Sequence, residues 1–397
     1  MSRRVVVTGM GAVTPLGLGA DALHSRAVTG SAGLVDGVGR CEFDLGAVLS
    51  RREARRMDRF CQFAAVAGDE AVAQAGWSQG PPCPRDRVTV VIGSAIGGLG
   101  TLETQLDNFT RAGADRVATL TVPMLMVNAG AAQLSMRYGL HGEATAPAVA
   151  CSSGAQAICA GARAIRAGEA DAAVVGGAEA STGPFTAAMF AAAGALSATG
   201  RSVPFHRDRD GFLLGEGAGV LILEAAEVAE ARGAPILAEL AGYGTRTDAH
   251  HLTAPDPTGA VMARAVRVAL ADGGIGPAEV AYINAHGTGT QINDRVEVTA
   301  MRSALGTGLA AIPISSTKSV VGHLLGAAGA VESIATIQAL RHRTAPPTAG
   351  LTVPDPELGD LTHVRAARPL TSVGAECVGL SNSMGFGGHN VAIAWRA

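Results

Sequence analysis

Lysine is all but missing from this chain. Of its 31 lysine and arginine residues, Lys318 is the one lysine. That leaves a single ammonium group to explain, five residues before a histidine, where arginine is used everywhere else. Aromatic residues make up only 4%, so the chain must pack largely through small and aliphatic side chains. Charged residues are 16% and the formal net charge is −3, so no global field calls for a nucleic-acid partner. No apolar run reaches the roughly 18 residues a transmembrane helix needs, so no membrane span is expected. The metal-binding patterns H-E-x-x-H and H-x-E…C-x-x-C are missing, and no metal site is expected. There is no Walker A sequence. The stretch "TGMGAVTPLG" lacks the full dinucleotide fingerprint, and Pro15 interrupts it.

Cysteine is present but unpatterned. The six thiols, at 41, 61, 83, 151, 159 and 377, contain no C-x-x-C pair, and a chain of 397 residues needs no disulfide staples. Reduced thiols in a cytoplasm are the expectation. The start, "MSRRVVVTGMGAVTPLG", places two arginines before an apolar stretch, as a secretion signal would. Gly9, Gly11, Pro15 and Gly17 break that stretch, and no persuasive cleavage site follows. A buried strand at Val5 to Val7 running into a glycine turn is expected instead.

What is abundant is apolar and small. Hydrophobic residues are 48% and glycines number 53, which favours a well-buried body with close helix–sheet packing. Short apolar runs predict strands over 4–8, 88–93, 146–150, 171–177, 218–224, 236–243, 280–284, 312–315, 376–381 and 390–395. Helical patterns predict helices over 51–75, 154–167, 259–272, 295–305 and 323–341. The alternation is that of an α/β protein. Each half also holds a strand, then Ser-rich residues, then a small-residue helix: "AVACSSGAQAICAGARAIRAG" and "PISSTKSVVGHLLGAAGAVESIATIQAL". A duplicated architecture, with its junction near 225–235, and chance similarity between Ala-rich helices both fit.

Several residues can carry chemistry. Cys151 lies between an expected strand and Ser152-Ser153-Gly154, the order of a nucleophile elbow with sulfur in place of oxygen. The helix that follows would aim free N–H groups at the sulfur and favour thiolate. A buried cysteine serving as a small hydrophobe fits the same residues. "NAHGTGT" puts His286 in a loop after a strand, and "KSVVGH" puts His323 at the opening of a helix, five residues beyond Lys318. "GLSNSMGFGGHN" sets Phe386 between glycines that let backbone approach a ligand; an ordinary hairpin turn is the alternative. Arg52, Arg55, Arg56 and Arg59 share one face if 51–75 is a continuous helix. They form a single-signed patch suited to an acidic or phosphate-bearing partner.

In this order, "VVVTGMGAVTPLG", "CSSG", "AHGTGT", "STKSVVGHLLGAAGAVE" and "GFGGHN" resemble the β-ketoacyl-acyl-carrier-protein synthases. These are condensing enzymes of the thiolase superfamily, and the likeness is greatest to the synthase II type and its polyketide relatives. The resemblance spans nearly the whole chain. It implies a thiolase-like duplicated α/β fold, layered α-β-α-β-α, with halves at 1–234 and 235–397. It implies a cytoplasmic dimer that uses no metal or redox cofactor. Substrates would arrive on the phosphopantetheine of an acidic acyl carrier protein, with Arg52, Arg55 and Arg56 in the docking region. By resemblance, Cys151 is the acyl-accepting nucleophile, and His286 and His323 drive decarboxylation of malonyl-carrier. Phe386 is the gating aromatic whose N–H joins that of Cys151 in an oxyanion hole. Thr288 and Thr290 lie along the pantetheine arm, and Lys318 and Glu332 form a supporting ion pair.

The chain departs from the family pattern at Val203-Pro204-Phe205-His206, where many relatives read Arg-Pro-aromatic-Asp. It departs again at Met384, often Phe, and at Asn293, more often Gly. Asn293-Asp294-Arg295 tilts the reading toward polyketide synthases. Three functions follow: an elongating homodimeric synthase, the catalytic subunit of a type II polyketide synthase paired with a chain-length factor, and a non-catalytic partner subunit. Cys151 with both histidines argues against the last. A degradative thiolase would need a second cysteine and a different tail.

Overall fold

The computed structural model describes residues 3–372, 374 and 376–397. Its first strand, β1 (Val5–Thr14), is buried at every position. It does not stop at a glycine turn as the sequence suggested. Gly9 and Gly11 continue the strand because helix α1 (Arg59–Gln74) lies directly on it. A Cβ on Gly9 would fall 2.0 Å from the Ala71 carbonyl oxygen, and one on Gly11 1.9 Å from that of Ala67.

The strands that follow are β2 (Val88–Gly93), β3 (Ala144–Thr145), β4 (Ala172–Glu179) and β5 (Gly217–Ala225). Then come β6 (Ala238–Thr247), β7 (Val280–Asn284), β8 (Pro313–Ser315), β9 (Thr362–His363), β10 (Val378–Gly385) and β11 (His389–Arg396). Seven further helices concern the site: α2 (Leu99–Ala112), α3 (Ala129–Tyr138), α4 (Ser153–Arg166), α5 (Pro184–Ala192), α6 (Ala260–Asp272), α7 (Gln291–Leu305) and α8 (Ala328–Arg341).

The strands run in the order β9-β8-β7-β10-β11-β6-β1-β5-β4-β2-β3. Only Val6–Glu239 and Val7–Ala238 join β1 to β6. Outward from that join the two sides repeat. Two antiparallel pairings (β1–β5 and β5–β4; β6–β11 and β11–β10) are followed by two parallel ones (β4–β2 and β2–β3; β10–β7 and β7–β8). The glycine device repeats as well. On β6, Cβ atoms at Gly242 and Gly244 would lie 2.2 and 2.0 Å from the carbonyl oxygens of Ala269 and Ala265 on α6.

Three apolar cores separate the layers. Phe60 and Phe63 of α1 and Leu134 of α3 cover one face of the β1–β5 sheet. Val266 of α6 and Met301 of α7 cover one face of the β6–β11 sheet. Between the sheets, α4 (Ile158, Ala162, Ile165) and α8 (Val331, Ile334, Ile337) share the central core. The result is the five-layered α-β-α-β-α thiolase-like arrangement.

Three elements differ from expectation. The strand expected over 146–150 does not form: β3 ends at Thr145, and 146–149 run as irregular chain into a 3-10 turn, Ala150–Ser152. Here the Val149 N–H is taken by Ser153 Oγ at 2.9 Å and not by a neighbouring strand. The helix expected over 51–75 breaks in two: Arg51–Ala54 ends, and α1 restarts after Asp58, whose carboxylate caps the Phe60 N–H at 3.1 Å. His323 does not open a helix. It pairs with Leu214 in an isolated bridge, and α8 begins only at Ala328.

Candidate active site

Cys151 sits where the chain leaves β3 and turns into α4. Ala150 takes φ 51°, the left-handed region a side chain enters at a cost. Ser153 locks the turn by donating from Oγ to the Ala150 carbonyl at 2.7 Å. From the far half, the β10–β11 hairpin closes on the same turn. Ser152 Oγ donates to the His389 carbonyl at 2.7 Å, and the Phe386 backbone N–H bonds to the Cys151 sulfur. The cysteine is only 7% exposed, and burial pushes its thiol up to about 11, against the pull of Lys318 and the Phe386 N–H. The expected thiolate is therefore not the resting form: desolvation outweighs the Lys318 charge and the Phe386 N–H.

His286 follows β7. Its backbone N–H and that of Gly287 both bond to the buried carboxylate of Glu297 on α7, each at 2.8 Å. Burial pushes Glu297 up to about 7. Lys318 opens a one-turn helix (Lys318–Val321) just after β8 and has a fully buried side chain. Its ammonium donates to the His286 carbonyl at 2.6 Å, lies 3.3 Å from His286 Nδ1, and pairs with Glu332 of α8. An ammonium has only donors, so His286 Nδ1 is the acceptor and the ring proton sits on Nε2.

His323 is fixed differently with the same outcome. Its backbone bonds to Leu213 and Gly215. Its Nδ1 accepts the Leu325 N–H at 3.3 Å, so here too the proton lies on Nε2. The two rings stand edge to face, 5.4 Å apart at 80°. Burial and the Lys318 charge hold both imidazoles well below their ordinary range, and they are neutral.

Cys151, His286, His323, Thr288, Thr290 and Phe386 line one cavity of about 310 Å³. Lys318 and Glu332 support it from behind. Thr288 and Thr290 hydroxyls lie 3.0 Å apart, and Thr290 also caps α7 by accepting the Asn293 N–H. Arg52, Arg55 and Arg56 stand apart from the cavity, exposed. The break before Asp58 separates them from Arg59, whose half-exposed side chain pairs with the buried Glu216 at 2.7 Å.

The sequence reading missed Glu297, although it stands two residues beyond the Asn293-Asp294-Arg295 stretch. It also missed Phe190 and Phe212, which with Phe386 form an aromatic wall; Phe212 meets His323 edge-on at 4.9 Å. Arg209 is a third omission. Buried, it pairs with Asp294 at 3.3 Å and Asp355 at 2.6 Å, and Asp294 in turn accepts the N–H groups of Phe205 and Gly289. Of the departures, Met384 and Asn293 both line the cavity. His206 is buried, 3.2 Å from the Thr352 hydroxyl.

A buried thiol, two neutral N–H donors and converging backbone amides suit acyl transfer with enolate stabilisation. Comparison with known proteins agrees. The family model for the N-terminal domain of β-ketoacyl synthase matches residues 26–229, and that for its C-terminal domain matches 237–352. The 3-oxoacyl-[acyl-carrier-protein] synthase 2 of Synechocystis sp. is 41% identical, with 99% of this chain and 98% of that protein covered. The enzyme of the same description from Staphylococcus aureus (strain COL) is 39% identical over 100% of this chain and 98% of its own. Among solved structures, the AntDE:AntF complex is described as a type II PKS acyl-carrier protein with its ketosynthase bound to the hexaketide. It contains a chain 31% identical, with TM-score 0.91 and full coverage of both chains. The ishigamide ketosynthase/chain length factor gives 31% and 0.91, covering 100% of this chain and 99% of that one. A β-ketoacyl synthase from Burkholderia phymatum gives 33% and 0.90, covering 99% of each. The chain belongs to the β-ketoacyl synthase family and is a condensing enzyme of the acyltransferase class.

Proposed function

We propose that this enzyme elongates a carrier-bound acyl chain by two carbons through decarboxylative condensation, with Cys151, His286 and His323 as its catalytic residues. First, Cys151 attacks the acyl-carrier thioester; the carrier thiol leaves with the cysteine's proton, and an acyl-Cys thioester remains. The backbone N–H groups of Cys151 and Phe386 hold the oxyanion of that step. Malonyl-carrier then enters and loses CO₂. The Nε2–H groups of His286 and His323 hold the enolate oxygen. The enolate carbon attacks the acyl-Cys carbonyl, a C–C bond forms, and the Cys151 sulfur leaves and regains a proton. The product is a 3-oxoacyl-carrier. Each step is met by a thiol, two imidazoles and two amides, so no metal or redox cofactor enters the proposal.

One observation carries this reading: both imidazoles have Nδ1 occupied beside the Cys151 cavity, which leaves two neutral donors. The test is incubation with acyl-carrier and malonyl-carrier proteins, followed by intact-protein mass spectrometry. An acyl adduct lost in Cys151→Ala, with CO₂ release lost on histidine substitution, is the expected result. No adduct from any acyl-carrier would transfer the chain to the role of a non-catalytic partner.

Thr288 and Thr290 are proposed to hold the pantetheine arm. Arg52, Arg55 and Arg56 are proposed to receive an acidic carrier; they are exposed and have no ion-pair partner among the described residues. A dimer is proposed from α2, where Leu102, Leu106 and Phe109 are 46%, 59% and 52% exposed along one stripe, an unusual apolar face for a lone chain. Likeness to ketosynthase/chain length factor structures and Asn293-Asp294-Arg295 favour a second reading, a type II polyketide ketosynthase paired with such a factor. Sedimentation of the purified chain separates a homodimer from a subunit awaiting its partner. A cytoplasmic location suits six cysteines that are all unpaired. The halves 1–234 and 235–397 are proposed as the duplicated units, supported by the repeated strand order.

A further inference from the structure

Glu179 is the last residue of β4 and is fully buried. Among the described residues no arginine or lysine pairs with it. Its carboxylate instead collects neutral donors from three segments. The Ala95 N–H (2.7 Å) and Ser94 Oγ (3.2 Å) reach one oxygen, and Ser181 Oγ reaches the other at 2.8 Å. The Gly326 N–H is a fourth donor. None of these residues faces substrate in the mechanism above.

Gly326 leads back to the chemistry. It is pressed against the Ser94–Ala95 backbone so closely that a Cβ would fall 2.2 Å from the Ala95 nitrogen. Its neighbour Leu325 takes φ 45°, a strained conformation for a branched side chain. The Leu325 N–H is the group that occupies Nδ1 of His323. Adjacent amides therefore do two tasks: one sets the tautomer of His323, and the next is anchored by Glu179.

We propose that Glu179 is a positioning residue for His323: it pins the Leu325–Gly326 turn against Ser94–Ala95, and the pinned turn keeps His323 Nε2–H directed at the cavity. The inference rests on the assignment of His323 to decarboxylation. It carries a signature that mere scaffolding lacks. Burial pushes the Glu179 carboxyl up to about 7, so at pH 8 it is mostly ionised, and its negative charge there opposes thiolate formation at Cys151. Neutralising it must slow the histidine's step while leaving the cysteine's step unslowed.

The test compares full-length Glu179→Gln and His323→Asn with the parent enzyme. For Glu179→Gln, malonyl-carrier decarboxylation is expected to fall about tenfold or more in kcat, with KM within about twofold. Alkylation of Cys151 by iodoacetamide at pH 8 is expected to be unchanged or faster. Spectra of ¹⁵N-histidine enzyme should show His323 leaving the single Nε2–H tautomer. Equal loss of both half-reactions overturns the proposal, because that is scaffold collapse. Unchanged decarboxylation in Glu179→Gln beside a slowed His323→Asn overturns it too. Normal decarboxylation in His323→Asn removes the assignment of His323 and the proposal with it. If Glu179→Gln does not fold, Ser94→Ala removes one donor and should give the same split at about threefold.

Discussion

Lys318→Arg is the substitution that composition makes look harmless and the structure makes harmful. The parent chain uses arginine at every other basic position, yet the Lys318 side chain has no exposed surface. Its ammonium contacts His286 twice, at 2.6 and 3.3 Å, and pairs with Glu332. Those contacts require one compact cation at the end of a thin stem. A guanidinium is broad and planar, carries five donors, and cannot occupy that point without displacing a neighbour. Overpacking of this kind costs about 1–3 kcal/mol of stability. The neighbour best able to move is the His286 ring, since Glu297 ties only its backbone. A shift of about 1 Å in a catalytic group costs on the order of 100-fold in rate, or about 2.7 kcal/mol. The assay is turnover of acyl-carrier plus malonyl-carrier, with acyl-Cys formation followed by mass in parallel. Condensation should fall about 100-fold while acylation of Cys151 stays nearer to normal. Arg111→Lys, at a 78% exposed side chain in an i,i+4 pair, is the control and should be silent. Purified, folded Lys318→Arg condensing at the parent rate would refute the reasoning.

Cys151→Ala should abolish the acyl adduct yet still release CO₂ from malonyl-carrier, because the imidazole donors are intact; radiolabelled CO₂ capture checks it. Replacing either His286 or His323 by Ala removes one of two enolate donors and should cost about 10²–10³ in decarboxylation, measured the same way. With the Cys151 thiol pushed up to about 11, its alkylation by iodoacetamide should rise about tenfold per pH unit from 7 to 10; a plateau near pH 7 would contradict this. Glu297 is raised from 4.5 to about 7, so the native state binds its proton more tightly than the unfolded chain, and stability drains away as pH rises from 4.5 through 7. The difference in Tm between Glu297→Gln and the parent should therefore become more positive from pH 5 to pH 8, as read by calorimetry.

Much of the fold was legible because its signals are local. β2 and β7 fall where their apolar runs lie, and α4 and α6 match within a residue. The misreadings have one physical source, tertiary contact overriding a local pattern. Gly9 and Gly11 read as a turn, but they are strand residues chosen for the approach of α1. Arg52 to Arg59 read as one helical face, but Asp58 also accepts the Thr101 hydroxyl and so caps a new helix. α2 was missed although Leu99, Leu102, Leu106 and Phe109 recur at helical spacing; that stripe faces outward, not into the core. In the site, the sequence could show which residues bear chemistry, and those quoted motifs do meet at one cavity. It could not show which groups orient them. Glu297, Glu179 and the Leu325 N–H act through backbone amides, and a backbone donor leaves no mark in the residue alphabet.

The repeat explains why the site is built so unequally. In each half the chain loops back after three corresponding strands, β2, β3 and β4 or β7, β8 and β10, and all six loops converge where α4 meets α8. In the second half these loops carry His286, then Lys318 and His323, then Phe386. In the first, only the loop after β3 carries a residue proposed to react, Cys151. The loops after β2 and β4 supply Ser94–Ala95, Glu179 and Ser181, which bond to one another and to the Leu325–Gly326 turn. Duplication placed six loop ends within reach of one cavity, and a condensing reaction needs fewer than six reactive groups there. The surplus ends serve as a fixed floor. A floor made of hydrogen bonds to a carboxylate is stiff and directional where apolar packing would tolerate sliding. Stiffness matters because enolate stabilisation depends on where two N–H vectors point, and on the cavity side the His323 ring meets Phe212 and His286 through edge contacts, which are less directional than a hydrogen bond.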